Sequence, residues 1–474
     1  MSRIYRFPSD LPFLWGSAIS AYQCEGAWNA GDKGLSEWDY CNAHSPLNVN
    51  GVDGTVASDF FHRYREDIAL LAEGGQNSLR FSLAWSRIMP DGHGKVSEEG
   101  IAFYDDVIDC CLEHGIVPNV VLHQYDLPYQ VALEGGWSNA ATAEAFCDYA
   151  KVCFERFGDR VKLWSTIDEP QYYSYCANML GSYPPGRKLD MQSYVQWQYN
   201  QMLASAKAVA LFRALHMDGV IGVIHQDSNI EVATHTQNPE AVRAAADFFY
   251  NRMVLCPALE GRLPPEMDDM LQALGTYLYR VPDDAEIFAQ GKVDYLSLNV
   301  YCRKYVTDWH GEATTASGNV KGSGSTAIEG QVIAPLFETA YDSVVARNKW
   351  GRELLPRVMY SSLMRVKSQY GNPPVVAENG HGEYEDPAPD GFVTDDDRIA
   401  FMEEVIDYLQ SAKKDGADVR GYYYWSTMDL YSWINGYEKR YGLVRVDFDH
   451  DLKRIPKKSW QWYRAMIQGD VQAR

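Results

Sequence analysis

Eight short apolar runs, rich in β-branched and aromatic residues, punctuate this chain at intervals filled by helix-like segments. They are FLWGSAISA (13–21), LRFSLAW (79–85), VPNVVLH (117–123), KLWSTI (162–167), VIGVIH (220–225), VDYLSLN (293–299), PVVAEN (374–379) and VRGYYYW (419–425). Between them lie amphipathic stretches such as FYDDVIDCCLEHG (103–115), which follows an acidic turn and stops on Gly115 as helix-stop rules expect. Strand and helix alternating through eight strands predict an α/β fold, a closed parallel (β/α)8 barrel with long βα loops. An open doubly wound sheet is the competing arrangement, but no G-x-G-x-x-G opens the first helix and no P-loop occurs. Length alone would allow two or three domains. No internal repeat or linker divides the chain, so residues 1–474 are expected to form one barrel domain. The connection 311–330, rich in Gly, Ser and Thr, is expected to be a mobile loop.

Charge narrows the partners. Against 43 Lys and Arg stand 64 Asp and Glu, a net charge of −21. Such a chain repels nucleic acid and anionic membrane, although a local cationic cluster can still hold a small anion. No stretch reaches the ~18 apolar residues of a membrane span. The opening MSRIYRFPSDLPFLWG has neither a long apolar core nor a small-residue cleavage pattern, so no signal peptide is expected. The nine cysteines are scattered, odd in number and without C-x-x-C pairs. Free thiols in a reducing cytoplasm fit them better than a disulfide framework or a zinc site. Nothing in the sequence fixes the oligomeric state, and a homo-oligomer is compatible with it.

In a barrel of this kind reactive groups gather at the C-terminal ends of the strands. Gln23 and Glu25 follow the first strand, Arg80 lies on the second, and His123 and Gln124 end the third. Asp168 and Glu169 end the fourth, Asn299 and Tyr301 the sixth, Glu378 and Asn379 the seventh, and Trp425 the eighth. Acids at strand ends can hold a metal or cap a helix. Glu169 and Glu378, however, come from nearly opposite walls, as glycoside hydrolysis needs: one carboxylic acid protonates the leaving oxygen and one carboxylate faces the anomeric carbon. A separation of about 5–5.5 Å would mean a covalent, retaining mechanism.

Beyond these acids, FLWGSAISAYQCEG (13–26), LRFSLAWSRIMP (79–90), WSTIDEP (164–170), VVAENG (375–380) and YYYWSTMDLYSWINGYEKRYGL (422–443) stand in a set order. With these motifs the chain resembles, over essentially its whole length, the first family of glycoside hydrolases, the β-glucosidase-like retaining barrels. The resemblance implies Glu378 as nucleophile and Glu169 as general acid and then base. It implies that Arg80 and Tyr301 orient the nucleophile, that Gln23 binds the sugar's 3- and 4-hydroxyls, and that Trp425 floors the sugar subsite, with Asn299 and Gln124 beside it. A guanidinium should hold Glu378 ionised, and a drier setting should keep Glu169 protonated. No metal or cofactor is implied, since two carboxyl groups and water suffice and no H-E-x-x-H occurs.

The stretch DLYSWINGYEKRY (429–441) bears on the sugar. Ordinary β-glucosidases of the family carry Glu where this chain has Ser432. Removing that charge admits a phosphate on the 6-position, and Lys439 and Tyr441 follow at the spacing of the family's 6-phospho-β-glycosidases. The resemblance therefore implies a cytoplasmic 6-phospho-β-glycosidase. Trp433, directly after the serine, favours 6-phospho-β-galactosides, with 6-phospho-β-glucosides as a second sugar. The remaining alternatives are a glycosidase for unphosphorylated or 2-amino sugars and a non-catalytic sugar-phosphate-binding protein.

Two positions depart from the family. Gln124 takes the place of its sugar-binding His, with Tyr125 in the aromatic position, and His123, one residue earlier, should point away and be structural. Asp168 stands where the family places an Asn that donates to the 2-hydroxyl. An ionised Asp only accepts, and beside Glu169 it should raise that acid's pKa. Asp168 would accept from the 2-hydroxyl, select a 2-ammonium, or impair the site.

Overall fold

The computed structural model describes residues 5–45, 47, 51–317 and 330–470. Eight strands form a closed parallel barrel: β1 (Leu14–Ile19), β2 (Ser78–Ser82), β3 (Val117–His123), β4 (Leu163–Asp168), β5 (Val220–Val232), β6 (Tyr295–Thr307), β10 (Val375–Asn379) and β11 (Val419–Trp425). Each pairs with its sequence neighbour in the ring, and β10 closes it by pairing with β6 on one side and β11 on the other. Each of the eight predicted runs supplies one of these strands. Helices lie between successive barrel strands. One spans Glu98–Glu113, starting before the sequence pattern suggested, because Ser97 Oγ accepts from the Gly100 amide at 3.1 Å and Glu98 and Glu99 face the positive end of the helix dipole.

Strands β5 and β6 run on past the barrel rim as a paired arm, from Asn229↔Arg303 to Val232↔Val306. The short antiparallel strands β7 (Thr315–Ser317), β8 (Gly330–Ile333) and β9 (Phe337–Thr339) add to it. The sequence reading stopped both long strands too early, since the extension QDSNIEV (226–232) is mostly polar. Much of the segment expected to be a mobile loop, residues 318–329, lies outside the described residues; its flanks are β7 and β8. Near the C-terminus, β12 (Val444–Asp447) and β13 (Lys453–Pro456) make an antiparallel pair.

Period-two alternation fills the barrel in layers. Leu14, Leu163, Val220, Tyr295, Val376 and Tyr423 plug the bottom. Above them hydroxyls pair: Ser78 Oγ with Tyr423 Oη at 2.7 Å and Ser165 Oγ with Tyr295 Oη at 2.9 Å. Gly16 lets this layer close, since a Cβ there would come within 2.4 Å of the Ser78 carbonyl oxygen and 2.5 Å of the Tyr423 ring. Two residues further along β2 comes Arg80, the floor of the site. No helix among the described residues is long and apolar enough to cross a membrane, and none of the nine cysteines, all described, is in a disulfide.

Candidate active site

A cavity opens at the C-terminal ends of the barrel strands. Every residue to which the resemblance gives a role lines it except Arg80 and Asp168, which are 1% and 0% exposed; Glu25, His123 and Asn379, also expected at strand ends, do not line it.

Glu378 stands near the end of β10, in register with Asn299 on one side and Tyr423 on the other. Its Oε1 accepts from Tyr301 Oη at 2.6 Å, and its Oε2 accepts from the Arg80 guanidinium. Arg80 also donates to Asn299 Oδ1 at 3.2 Å and Ser297 Oγ at 3.3 Å. Asn299 in turn donates through Nδ2 to Glu169 Oε1 at 2.7 Å. Its amide orientation follows, because a guanidinium only donates. One carboxamide thus couples the two glutamates through Arg80.

Glu169 sits between β4 and the helix Pro170–Tyr175, at φ 42°. Pro170 occupies the first helical turn and disfavours right-handed α geometry in the residue before it. A left-handed glutamate costs on the order of 1–3 kcal/mol, and the surrounding bonds hold it there. Besides Asn299, Tyr125 Oη donates to Glu169 Oε2 at 2.5 Å and Gln226 Nε2 at 3.3 Å. The Glu169 pKa is raised by burial, against the bonds from Tyr125 and Asn299. Glu378 is pushed up as well, to about 7; burial outweighs the pull of Arg80 and Tyr301, and Glu169 adds to the push. The expectation that a guanidinium would hold Glu378 ionised omitted this desolvation.

Asp168 is fully buried, and neither of its oxygens accepts a hydrogen bond from the described residues. Burial pushes its pKa well above the carboxylate range; Arg80 opposes that, and Glu169 and Glu378 add to it. A carboxyl group in that setting is favoured in its neutral form, which carries one O–H donor. The ionised, acceptor-only side chain expected from the sequence is therefore disfavoured.

Gln124 faces the cavity, whereas His123 is fully buried, packed between the rings of Trp85, Trp137 and Tyr173, with its pKa pulled to about 3 by burial. The alternation argument for these neighbours matches this placement. Gln23 is locked by Ser20 Oγ donating to its Oε1 and by its own Nε2 donating to the Tyr431 carbonyl, both at 2.7 Å. Trp425 ends β11 on the cavity wall.

The loop after β11 brings Ser432, Trp433, Lys439 and Tyr441 to the same cavity. The Ser432 amide donates to the Gly436 carbonyl at 2.7 Å and the reverse bond is 2.8 Å, closing a tight turn. Trp433 stacks on Tyr22 at 5.6 Å and packs against Trp38, Tyr125 and Tyr183. The Lys439 ammonium lies 5.0 Å from the Trp350 ring centre and 5.5 Å from that of Tyr441. Burial would raise the Tyr441 pKa, but Lys439 and Arg352 outweigh it and bring it below the usual phenol value.

Sequence reasoning missed three contributors: the Tyr125 hydroxyl on Glu169, Gln226 beyond the predicted end of its strand, and Arg352 in a long connection. Gln226 could have been found by carrying the strand one residue further. Arg352 carried no local signal.

The profile of Glycosyl hydrolase family 1 matches residues 4–471. A 6-phospho-beta-galactosidase of Clostridium acetobutylicum is 34% identical, covering 96% of this chain and 96% of its own length. An aryl-phospho-beta-D-glucosidase of Bacillus subtilis is 36% identical, with 98% of each chain covered. Beta-glucosidase A of Acetivibrio thermocellus is 34% identical over 99% of this chain and all of its own. Among solved structures, the beta-glucosidase from Thermotoga maritima in complex with castanospermine superposes with a TM-score of 0.86 at 31% identity, covering 99% of this chain and 100% of that one. The chain belongs to glycosyl hydrolase family 1.

Proposed function

We propose that this protein is a retaining 6-phospho-β-glycosidase acting in the cytoplasm, with 6-phospho-β-galactosides favoured and 6-phospho-β-glucosides as the second sugar, and that residues 1–474 form its one catalytic domain. The observation that carries the phosphate reading is that Ser432, Lys439 and Tyr441 line the same cavity as Glu169 and Glu378. A hydroxyl, an ammonium and a phenol suit a phosphate, and charge-assisted bonds are roughly twice as strong as neutral ones. Trp433, fixed by its aromatic neighbours beside Ser432, supports the preference for the axial 4-hydroxyl of a galactoside.

In this reading Glu378 attacks the anomeric carbon while Glu169 gives its proton to the glycosidic oxygen. The C1–O bond breaks, the aglycone leaves as an alcohol, and a Glu378 glycosyl ester forms. Glu169, now a carboxylate, takes a proton from water, whose oxygen attacks C1 and frees Glu378. Arg80 and Tyr301 aim the nucleophile. Gln23, Gln124 and Asn299 bind or border the sugar, and Trp425 floors it. Asp168 stands where the family places the Asn that donates to the 2-hydroxyl, and as a neutral acid it can take over that donation once its carboxyl, buried outside the cavity lining, turns toward the sugar.

The rate ratio between a nitrophenyl β-galactoside 6-phosphate and the unphosphorylated compound tests the reading. A kcat/KM larger by two orders of magnitude or more for the phosphate is expected, and equal values would sink it.

The pH dependence follows from the same groups. Glu378 works ionised, so kcat/KM should fall as pH drops below its folded pKa, about 7. Glu169 works protonated and its pKa is raised, so activity falls again once the pH exceeds that raised value. Asp168→Asn supplies a permanent donor. It is expected to change kcat/KM for a 2-hydroxy substrate at neutral pH by less than about tenfold, and to lower the ratio of 2-amino to 2-hydroxy turnover if that ratio exceeds one in the wild type. A hundredfold loss on the 2-hydroxy substrate would mean that the carboxyl does something an amide cannot.

A further inference from the structure

We propose that Arg352 completes the phosphate cradle: its guanidinium, together with Lys439 and Tyr441, receives the phosphate monoester on the sugar's 6-position. This inference rests on the phosphate reading above and adds to it a residue that no sequence motif marks.

The need for a second cation comes from charge. A phosphate monoester carries about −1.5 to −2 near neutrality, and it must enter a protein whose net charge is −21. One lysine leaves much of that charge unmatched. Of the cations lining the cavity, Arg303 bridges Glu231, Asp342 and Glu353, Arg347 pairs with Glu353 at 3.0 Å, and Lys304 lies over the Tyr250 ring. Arg352 lies across the face of Tyr301, its guanidinium carbon 4.9 Å from the ring centre, and Lys439 lies on Trp350 and Tyr441. Both cations act on the same phenol, Tyr441, and together they overcome the effect of its burial. Arg352, Lys439 and Tyr441 line the same cavity.

Arg352 is also held ready. Asn348 Oδ1 accepts from the Arg352 amide at 3.0 Å, and the Asn348 amide donates to the Arg352 carbonyl at 2.9 Å. Arg347 and Glu353 clasp the same turn from either side. These bonds hold the Arg352 backbone, and the contact with Tyr301 places its guanidinium, whose planar fork matches two phosphate oxygens where an ammonium acts as a point charge. Because Arg352 rests on Tyr301, which donates to Glu378, the bound phosphate and the nucleophile would share one aromatic support.

The test measures kcat and KM separately for wild type, Arg352→Gln, Arg352→Lys and Lys439→Gln, on a nitrophenyl β-galactoside 6-phosphate and on its unphosphorylated form. Inhibition by galactose 6-phosphate and by inorganic phosphate is measured alongside. Arg352→Gln is expected to raise KM for the phosphorylated substrate roughly 10- to 100-fold, with a smaller change in kcat. It should weaken galactose 6-phosphate inhibition by a similar factor. Arg352→Lys should recover part of the loss, and Lys439→Gln should move KM in the same direction. If the wild type prefers the phosphate and Arg352→Gln leaves that preference intact, the role of Arg352 is overturned and the phosphate reading stands. If both substrates lose equally, Arg352 acts on Tyr301 and the reaction centre, and the inference is again overturned. A wild type with no preference for the phosphate removes both. Should Arg352→Gln fail to fold, Arg352→Lys decides: no shift in KM for the phosphate, in a protein with wild-type melting behaviour, counts against the fork.

Discussion

Replacing Glu378 by glycine should lower turnover by a factor on the order of 10^4 or more, and azide should restore part of it as the α-glycosyl azide. The product's configuration is the informative part. If Glu378 occupies the face opposite the leaving group, removing its side chain opens that face to a small anion, which then attacks once and inverts. Glu169 still protonates the departing oxygen, since Tyr125, Asn299 and Gln226 continue to hold it. The same substitution leaves Arg80 buried without its carboxylate, and breaking such a pair costs about 3–5 kcal/mol. A lower melting point should therefore accompany the lost activity. Glu378→Gln keeps one acceptor oxygen for Arg80, with its NH2 left to donate to Tyr301 Oη, and should recover part of that stability without recovering turnover. A β-azide product, or an active glycine variant, would remove Glu378 from its proposed role.

Ser432→Glu should reverse the sugar preference. The carboxylate would stand in the cavity that Lys439 and Tyr441 also line, where a like charge opposite a phosphate costs several kcal/mol. That corresponds to a fall in kcat/KM for the 6-phosphate on the order of 10^2- to 10^3-fold. The unphosphorylated galactoside should be held or gain, because the new carboxylate can accept from its 4- and 6-hydroxyls. Ser432→Ala separates charge from the lost donor: it should cost the phosphate about tenfold or less. Losses of the same size in the Ala and Glu variants would mean that position 432 does not meet the phosphate.

The barrel was legible because each wall strand announces itself locally. Runs such as VPNVVLH and PVVAEN are short, apolar and β-prone, and the reactive residues follow directly at their ends. For the same reason Glu169, Glu378, Asn299 and Tyr301 could be placed in one cavity before any geometry was known. What escaped depends on three-dimensional meeting. Arg352 lies in a connection with no periodic pattern, and only the fold brings it over Tyr301. The hydroxyl of Tyr125 reaches Glu169 from a left-handed backbone position, φ 67°, that a tyrosine seldom adopts. In the arm, the β5 half QDSNIEV is mostly polar, and Arg303 and Lys304 interrupt the β6 half, so no apolar run marks either. Charge states were the least legible part. Sequence pairs Glu378 with Arg80 and Asp168 with Glu169 and anticipates a drier setting for Glu169, but not the desolvation that also drives Glu378 and Asp168 upward.

The most direct measurement is a crystal structure of Glu378→Gln with an uncleaved 6-phospho-β-galactoside bound. The phosphate should lie within hydrogen-bond distance of Ser432, Lys439 and Tyr441, with the anomeric carbon facing residue 378 and the glycosidic oxygen facing Glu169. A sugar bound with its phosphate turned out to the cavity mouth, away from those three side chains, would contradict the account.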